Sequence, residues 1–83
     1  MRPEEIAGLI ALYYACNGSV HAHVPIERIR RKFSAPYRDE AKRIVEKLSR
    51  HPEGFVHIHK GRTISYGITM AGVKKLRDLQ LTP

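Results

Sequence analysis

The stretch that decides the fold is Ser34-Ala-Pro-Tyr-Arg-Asp-Glu-Ala-Lys-Arg-Ile-Val-Glu-Lys-Leu-Ser-Arg50. Its apolar residues recur at helical spacing on one face, and most of its charged residues fall on the other. The apolar set is Tyr37, Ala41, Ile44, Val45 and Leu48. Pro36 suits the first turn of a helix, because the N–H that proline lacks would be unpaired there in any case. The pattern predicts an amphipathic helix from Pro36 to Arg50 with a basic outer face.

A short turn separates this helix from the segment before it. The proline at position 36 disfavours helical dihedral angles at Ala35. Upstream, the spacing of Ile26, Ile29 and Phe33 predicts a helix from Pro25 to Phe33 with these three side chains facing inward. Two helices joined by so short a turn, the second one basic, form a helix-turn-helix pattern.

The positive charge is concentrated in the middle of the chain. The 83 residues include 15 Lys and Arg and 8 Asp and Glu, which gives a net charge of +7. Between Arg28 and Arg62 there are eleven basic and four acidic residues, and outside that window there are four of each. This segregation favours a polyanion as partner. The alternative is a basic surface that is only solvated.

Length and composition exclude several classes of protein. A chain of 83 residues predicts one domain, 1–83, with a single modest core. No Ser/His/Asp or Cys/His arrangement and no Gly-rich phosphate loop stands out, so we expect neither an enzyme nor a bound cofactor. The single cysteine, Cys16, cannot form an intramolecular disulfide and is expected in the core. One Asn and one Gln beside nine Arg are typical of a thermophile.

No targeting signal or membrane span is expected. The longest uncharged run, Ile6 to Ile26, is interrupted by Asn17, Gly18 and Pro25, among other residues. We therefore expect a cytoplasmic protein.

The N-terminal helix, predicted from Pro3 to about Cys16, is apolar over more than half of its circumference. Such a helix is normally covered on more than one side, here by the last helix or by a second copy of the chain. The apolar stripe of the last helix is too narrow to cover this surface, so we expect a homodimer. The predicted interface contains small residues that allow close approach, together with one leucine: Gly8, Ala11, Leu12 and Ala15.

The remaining segments predict strands and a closing helix. Weak alternation predicts a short strand over Ser19–Val24, and stronger alternation predicts a β-hairpin of 55–59 and 63–68 with a basic tip. Thr69 suits the N-cap of a last helix that ends near Leu79. That helix has an apolar stripe of Met70, Val73 and Leu76.

The resulting α+β order of helix, strand, helix, turn, helix, hairpin and helix resembles the winged-helix DNA-binding family, in particular small prokaryotic and archaeal regulators. The resemblance covers about residues 5 to 80. It depends on the turn Phe33-Ser34-Ala35-Pro36, the packing positions Ala41, Val45 and Leu48, the hairpin entry Gly54-Phe55-Val56, and the ending Tyr66-Gly67-Ile68-Thr69-Met70-Ala71-Gly72.

The resemblance implies binding of double-stranded DNA by a nucleoid-associated protein, either a transcriptional regulator or an architectural chromosomal protein. In that family the third helix enters the major groove, the second helix and the turn contact phosphates, and the wing contacts the neighbouring backbone or the minor groove. Carried over, the DNA-binding residues are Arg28, Arg31, Lys32, Ser34, Tyr37, Arg38, Lys42, Arg43, Lys60 and Arg62. Asp39 and Glu40 depart from the family's pattern. An RNA- or ribosome-associated protein and a protein-interaction module are the alternatives.

Two His-x-His pairs invite a metal interpretation. His21 and His23, like His57 and His59, would each share one face of a strand. No cysteine or carboxylate completes a ligand spacing, so we expect no metal site. Because His57 and His59 flank the hairpin tip, a fall in pH toward 6 would add positive charge there.

Overall fold

A computed structural model describes residues 1–81. Its helices are α1 (Pro3–Ala15), α2 (Ile26–Arg30), a 3₁₀ helix (Ala35–Glu40), α3 (Ala41–Ser49) and α4 (Met70–Asp78), and its strands are β1 (Val56–Lys60) and β2 (Ile64–Ile68). The predicted α+β class is confirmed, and the order is compatible with a small winged-helix arrangement. Across residues 1–81, no helix combines the length and apolar character needed to span a membrane.

Helix α1 begins and ends as the sequence predicts. The backbone N–H of Arg2 donates to the Glu5 carboxylate at 3.0 Å, and the helix stops before Asn17 and Gly18, which have φ of 52° and 73°. Glycine adopts such a positive φ without steric cost, and asparagine tolerates it. Cys16 lies in the core, where burial raises the pKa of its thiol.

The predicted dimer interface on α1 is wrong. Gly8, Ala11, Leu12 and Ala15 are all buried within the chain's own core, because α1 packs against α2, α3, β2 and α4. A Cβ at Gly8 would lie 2.6 Å from Cγ2 of Ile44, so the absence of a side chain allows α3, rather than a second copy, to approach.

The segment before α2 forms less strand than expected. Only Val24 pairs, with Tyr66: their N–H and carbonyl groups exchange hydrogen bonds of 2.9 and 2.8 Å. Ser19 draws the residues that follow it into a turn, since its hydroxyl accepts from the N–H of His21 at 3.2 Å. Helix α2 is also shorter than predicted and ends at Arg30, although Ile29 and Phe33 are buried as expected.

The predicted third helix is divided into two parts. Residues 35–40 are 3₁₀ and only 41–49 are α-helical, because Glu40 has φ −105° and ψ 13°, outside the α-helical region. Pro36 lies in the first turn, as predicted. The predicted apolar face is confirmed: Ala41, Ile44, Val45 and Leu48 are fully buried, while Tyr37 is half-buried.

The hairpin and α4 close the fold. Val56 pairs with Ile68 and Ile58 with Tyr66, so these side chains share the inner face. Ile64 shares that face but is 49% exposed, because it lies at the tip beyond the core. Thr69 is the predicted N-cap of α4, and its hydroxyl accepts from the N–H of Gly72 at 3.1 Å. Leu76 is buried, but Met70 is 65% exposed, so the predicted stripe of α4 does not include it.

Candidate nucleic-acid interface

The second helix and the turn after it present three exposed basic side chains. Arg28, Arg31 and Lys32 all point to solvent, while Ile29 and Phe33 are buried and hold the segment on the core. Helix α2 packs against both α3 and β2, so this basic segment lies beside the other two elements that the family resemblance assigns to DNA.

The hairpin tip presents two more basic side chains. Lys60 is the last residue of β1, opposite Ile64, and Arg62 lies in the connecting turn. The N–H of Gly61 donates to the carbonyl of Thr63 at 3.3 Å, which closes the turn. Lys60 and Arg62 are both exposed, and neither makes an ion pair with any residue from 1 to 81.

The 3₁₀ helix positions the start of α3. One guanidinium N–H of Arg38 donates to the carbonyl of Phe33 at 3.2 Å and so ties the helix to the turn. Ser34 and Arg38 are exposed and Tyr37 is half-buried against the core. Asp39 and Glu40 are exposed on the same segment.

The outer face of α3 has mixed charge. A shallow depression there is lined by three carboxylates and three basic groups: Asp39, Glu40, Glu46, Lys42, Arg43 and Arg50. The Arg43 guanidinium lies 3.1 Å from the Glu40 carboxylate and 2.8 Å from that of Glu4. These partners raise the pKa of Arg43, chiefly through the hydrogen bond to Glu4. Arg43 is therefore paired with carboxylates of its own chain.

Sequence reasoning missed the role of Glu4. Its carboxylate lies 2.8 Å from Arg43 and 3.4 Å from the ammonium of Lys47, and the hydrogen bond from Arg43 is the main cause that lowers the pKa of Glu4. Glu4 is 39 and 43 residues from these partners, so no local spacing rule connects them. Lys47 was likewise not among the predicted residues.

Three histidines meet on the outer face of the hairpin. The rings of His23 and His57 have centroids 5.7 Å apart, those of His23 and His59 are 5.0 Å apart, and both contacts are edge-to-face. His21 takes no part in these ring contacts. Within residues 1–81, no group of three His, Cys, Asp or Glu side chains is arranged to hold a metal ion.

No protein-family model, curated protein or solved structure matches the chain. The chemistry of the surface is therefore the basis for a functional assignment. Exposed arginine and lysine side chains suit phosphate groups, since arginine donates in a planar fork and lysine acts as a compact charge. Each phosphate contact also releases counterions from a nucleic acid.

Proposed function

We propose that the chain binds double-stranded DNA as a winged-helix protein, acting as a small transcriptional regulator or as an architectural protein of the chromosome. The observation that carries the proposal is exposed positive charge without an internal partner. Among the basic residues of the candidate interface, only Arg43 makes an ion pair within residues 1–81. If these basic side chains served only to keep the protein in solution, we would expect more of them to pair with carboxylates of the same chain.

The unpaired cations favour contact with phosphates over reading of bases. Arg28, Arg31 and Lys32 on one side and Lys60 and Arg62 on the other would contact the backbone. On α3, Lys42 is exposed, whereas Arg43 is held by two carboxylates. Arginine reads guanine through its N–H groups, so the commitment of Arg43 reduces what α3 can offer to base edges. We therefore propose that much of the affinity is independent of sequence.

The salt dependence of DNA binding tests the proposal. Fluorescence anisotropy with a labelled 20-base-pair duplex is measured from 50 to 300 mM salt. Roughly 4–8 phosphate contacts per chain would give a log–log slope of about −4 to −7, because each contact contributes about 0.9. Absence of binding, or an affinity that does not change with salt, would contradict the proposal.

A competition experiment separates DNA from RNA. The labelled duplex is displaced by unlabelled duplex DNA or by a structured RNA hairpin of equal phosphate number. B-form and A-form helices place phosphates differently, so a surface suited to one binds the other less well. Displacement at lower concentration by RNA would favour an RNA- or ribosome-associated protein instead. Binding to neither would favour a module that interacts with proteins.

A further inference from the structure

The strand register explains why three histidines come together. His57 lies opposite Gly67 in the hairpin, and the pairing of Val24 with Tyr66 places His23 on the other side of Gly67. Gly67 has no side chain to separate them, and a Cβ there would lie 2.9 Å from the carbonyl oxygen of Ala22. The two rings therefore approach each other across the glycine, at 5.7 Å.

The cluster continues toward the basic tip. His59 follows His57 by two residues on the same face of β1, and its ring lies 5.0 Å from that of His23. In the other direction, the Nε2 atom of His59 lies 3.7 Å from the place that a Cβ of Gly61 would occupy. The imidazoles thus extend from the segment before α2 to the turn that contains Arg62.

Arg62 lies in the turn that follows the cluster, and Lys60 ends β1, where its pairing with Ile64 places it on the opposite face of the strand from His57 and His59. His21 lies two residues before His23 and makes no ring contact with the cluster. Strand β2 contributes the uncharged Ser65 and Gly67, which lie opposite His59 and His57. Within the described part of the chain, the one histidine near a carboxylate is His51, whose Nδ1 lies 4.0 Å from Glu53.

We infer that His23, His57 and His59 form a binding site for a phosphate of the nucleic-acid backbone, and that the site takes up protons when it is filled. This inference rests on the proposed function. A protonated imidazole has two N–H donors and a positive charge, and it forms charge-assisted hydrogen bonds with phosphate oxygens. Positive charges on rings 5.0 and 5.7 Å from that of His23 would repel a charge on His23 in the free protein, and a polyanion offsets that repulsion. Histidine changes charge between about pH 5 and 8, so filling the site draws in protons there.

Affinity for duplex DNA at two pH values provides the first test. Binding is compared at pH 7.5 and 6.0 for the unmodified protein and three variants. These are the triple variant His23→Gln/His57→Gln/His59→Gln and the single variants His23→Gln and His21→Gln. Ionic strength is constant and EDTA removes stray metal ions. The unmodified protein and His21→Gln should bind about tenfold tighter at pH 6.0, the gain expected from roughly one charge-assisted hydrogen bond. His23→Gln should lose part of this gain and the triple variant most of it.

His21 provides a matched control, because it is exposed, lies two residues from His23 and has no ring contact with the cluster. Circular dichroism checks that every variant is folded. A triple variant that keeps the full pH dependence would overturn the inference. Failure of the unmodified protein to bind the duplex at either pH would instead overturn the proposed function.

Calorimetry and NMR test the mechanism directly. Titration of the duplex at pH 6.5 in two buffers of different ionisation enthalpy should show net proton uptake by the unmodified protein and much less by the triple variant. The ring resonances of the three histidines should shift with the duplex. If inorganic phosphate shifted the same resonances at equal or lower phosphate concentration, the site would bind free phosphate and the inference would be wrong.

Discussion

The carboxylate of Glu4, near the start of α1, accepts a 2.8 Å hydrogen bond from the guanidinium of Arg43 on the outer face of α3. The same carboxylate lies 3.4 Å from the ammonium of Lys47, one turn further along α3. One acidic side chain therefore forms ion pairs with two basic ones in the helix that the family resemblance directs toward DNA. This arrangement makes Glu4 a determinant of how much charge α3 can offer to a partner.

Replacement of Glu4 should strengthen binding to DNA. In Glu4→Gln the carboxylate charge is lost, so Arg43 keeps only Glu40 as an ionic partner and Lys47 keeps none within residues 1–81. If α3 faces the duplex, one or two further phosphate contacts become available, and each would steepen the log–log salt slope by about 0.9. Anisotropy titrations over a range of salt concentrations measure this slope.

Asp78→Asn is the control for net charge. Asp78 ends α4, is exposed and makes no ion pair in the described residues, so its loss changes the total charge equally but releases no cation. The control should leave the slope nearly unchanged. Equal slopes for the two variants would show that Arg43 and Lys47 lie outside the interface.

Glu4 should also make stability depend on pH. The hydrogen bond from Arg43 lowers the pKa of Glu4 in the folded chain below its ordinary value of 4.5. The folded state then binds the proton less readily than the unfolded state. The resulting stabilisation is present above about pH 4.5 and is lost as the pH falls through the lower pKa of the folded state. Thermal melts from pH 6 to 2.5 should therefore show a smaller fall of Tm in Glu4→Gln than in the unmodified protein or Asp78→Asn.

The fold was largely predictable because its main elements have local signals. Alternation in the hairpin, the Thr69 cap and the apolar face of 41–48 depend on neighbouring residues, and all three are confirmed. The strand over Ser19–Val24 was not predictable in this way. Its single bridge depends on Tyr66, more than forty residues away, and the Ser19 turn competes locally for the backbone.

The candidate site was predictable in composition but not in pairing. The sequence shows which segments are basic, and the structure exposes their basic side chains, while their part in DNA binding stays a prediction. The sequence does not show that Arg43 is paired with Glu4, or that His23 joins His57 and His59, because these contacts form between distant elements. The apolar excess of α1 suggested a dimer for the same reason, since α1 is covered by four elements of its own chain that are distant in sequence: α2, α3, β2 and α4.

Substitution of Gly8 should destabilise the protein. A methyl group there would lie 2.6 Å from Cγ2 of Ile44 and 3.0 Å from Cδ1 of Leu48, both in the core. Overpacking of this kind typically costs about 1–3 kcal/mol. Urea denaturation of Gly8→Ala should show this loss. Gly61→Ala is the control, since its nearest contact would be 3.7 Å away, and a loss of equal size there would show that contact with α3 is not the cause.

Ala11→Glu should unfold the protein instead of separating a dimer. Ala11 is fully buried, so the variant places a carboxylate in the core without a partner. Removing one partner of a buried ion pair leaves a lone buried charge and costs about 3–5 kcal/mol of stability. We expect a similar loss of stability here. Circular dichroism should show reduced helix content or a much lower Tm.

A folded monomeric variant of a protein that light scattering shows to be dimeric would restore α1 as the interface. Homodimerisation itself stays a prediction, tested by light scattering of the unmodified protein at tens of micromolar.

The hairpin tip should contribute to DNA affinity without affecting sequence preference. Lys60 ends β1 and Arg62 lies in the turn of residues 61–63; both are exposed and have no ionic partner among residues 1–81. Lys60→Ala/Arg62→Ala should reduce the salt slope by up to about 2 and weaken binding to different duplexes by the same factor, because phosphates carry no sequence information. Lys74→Ala/Arg77→Ala removes two exposed charges from α4, outside the basic window, and should have little effect. If the two double variants weakened binding equally, the affinity would follow total charge, and the tip would have no particular place in the interface.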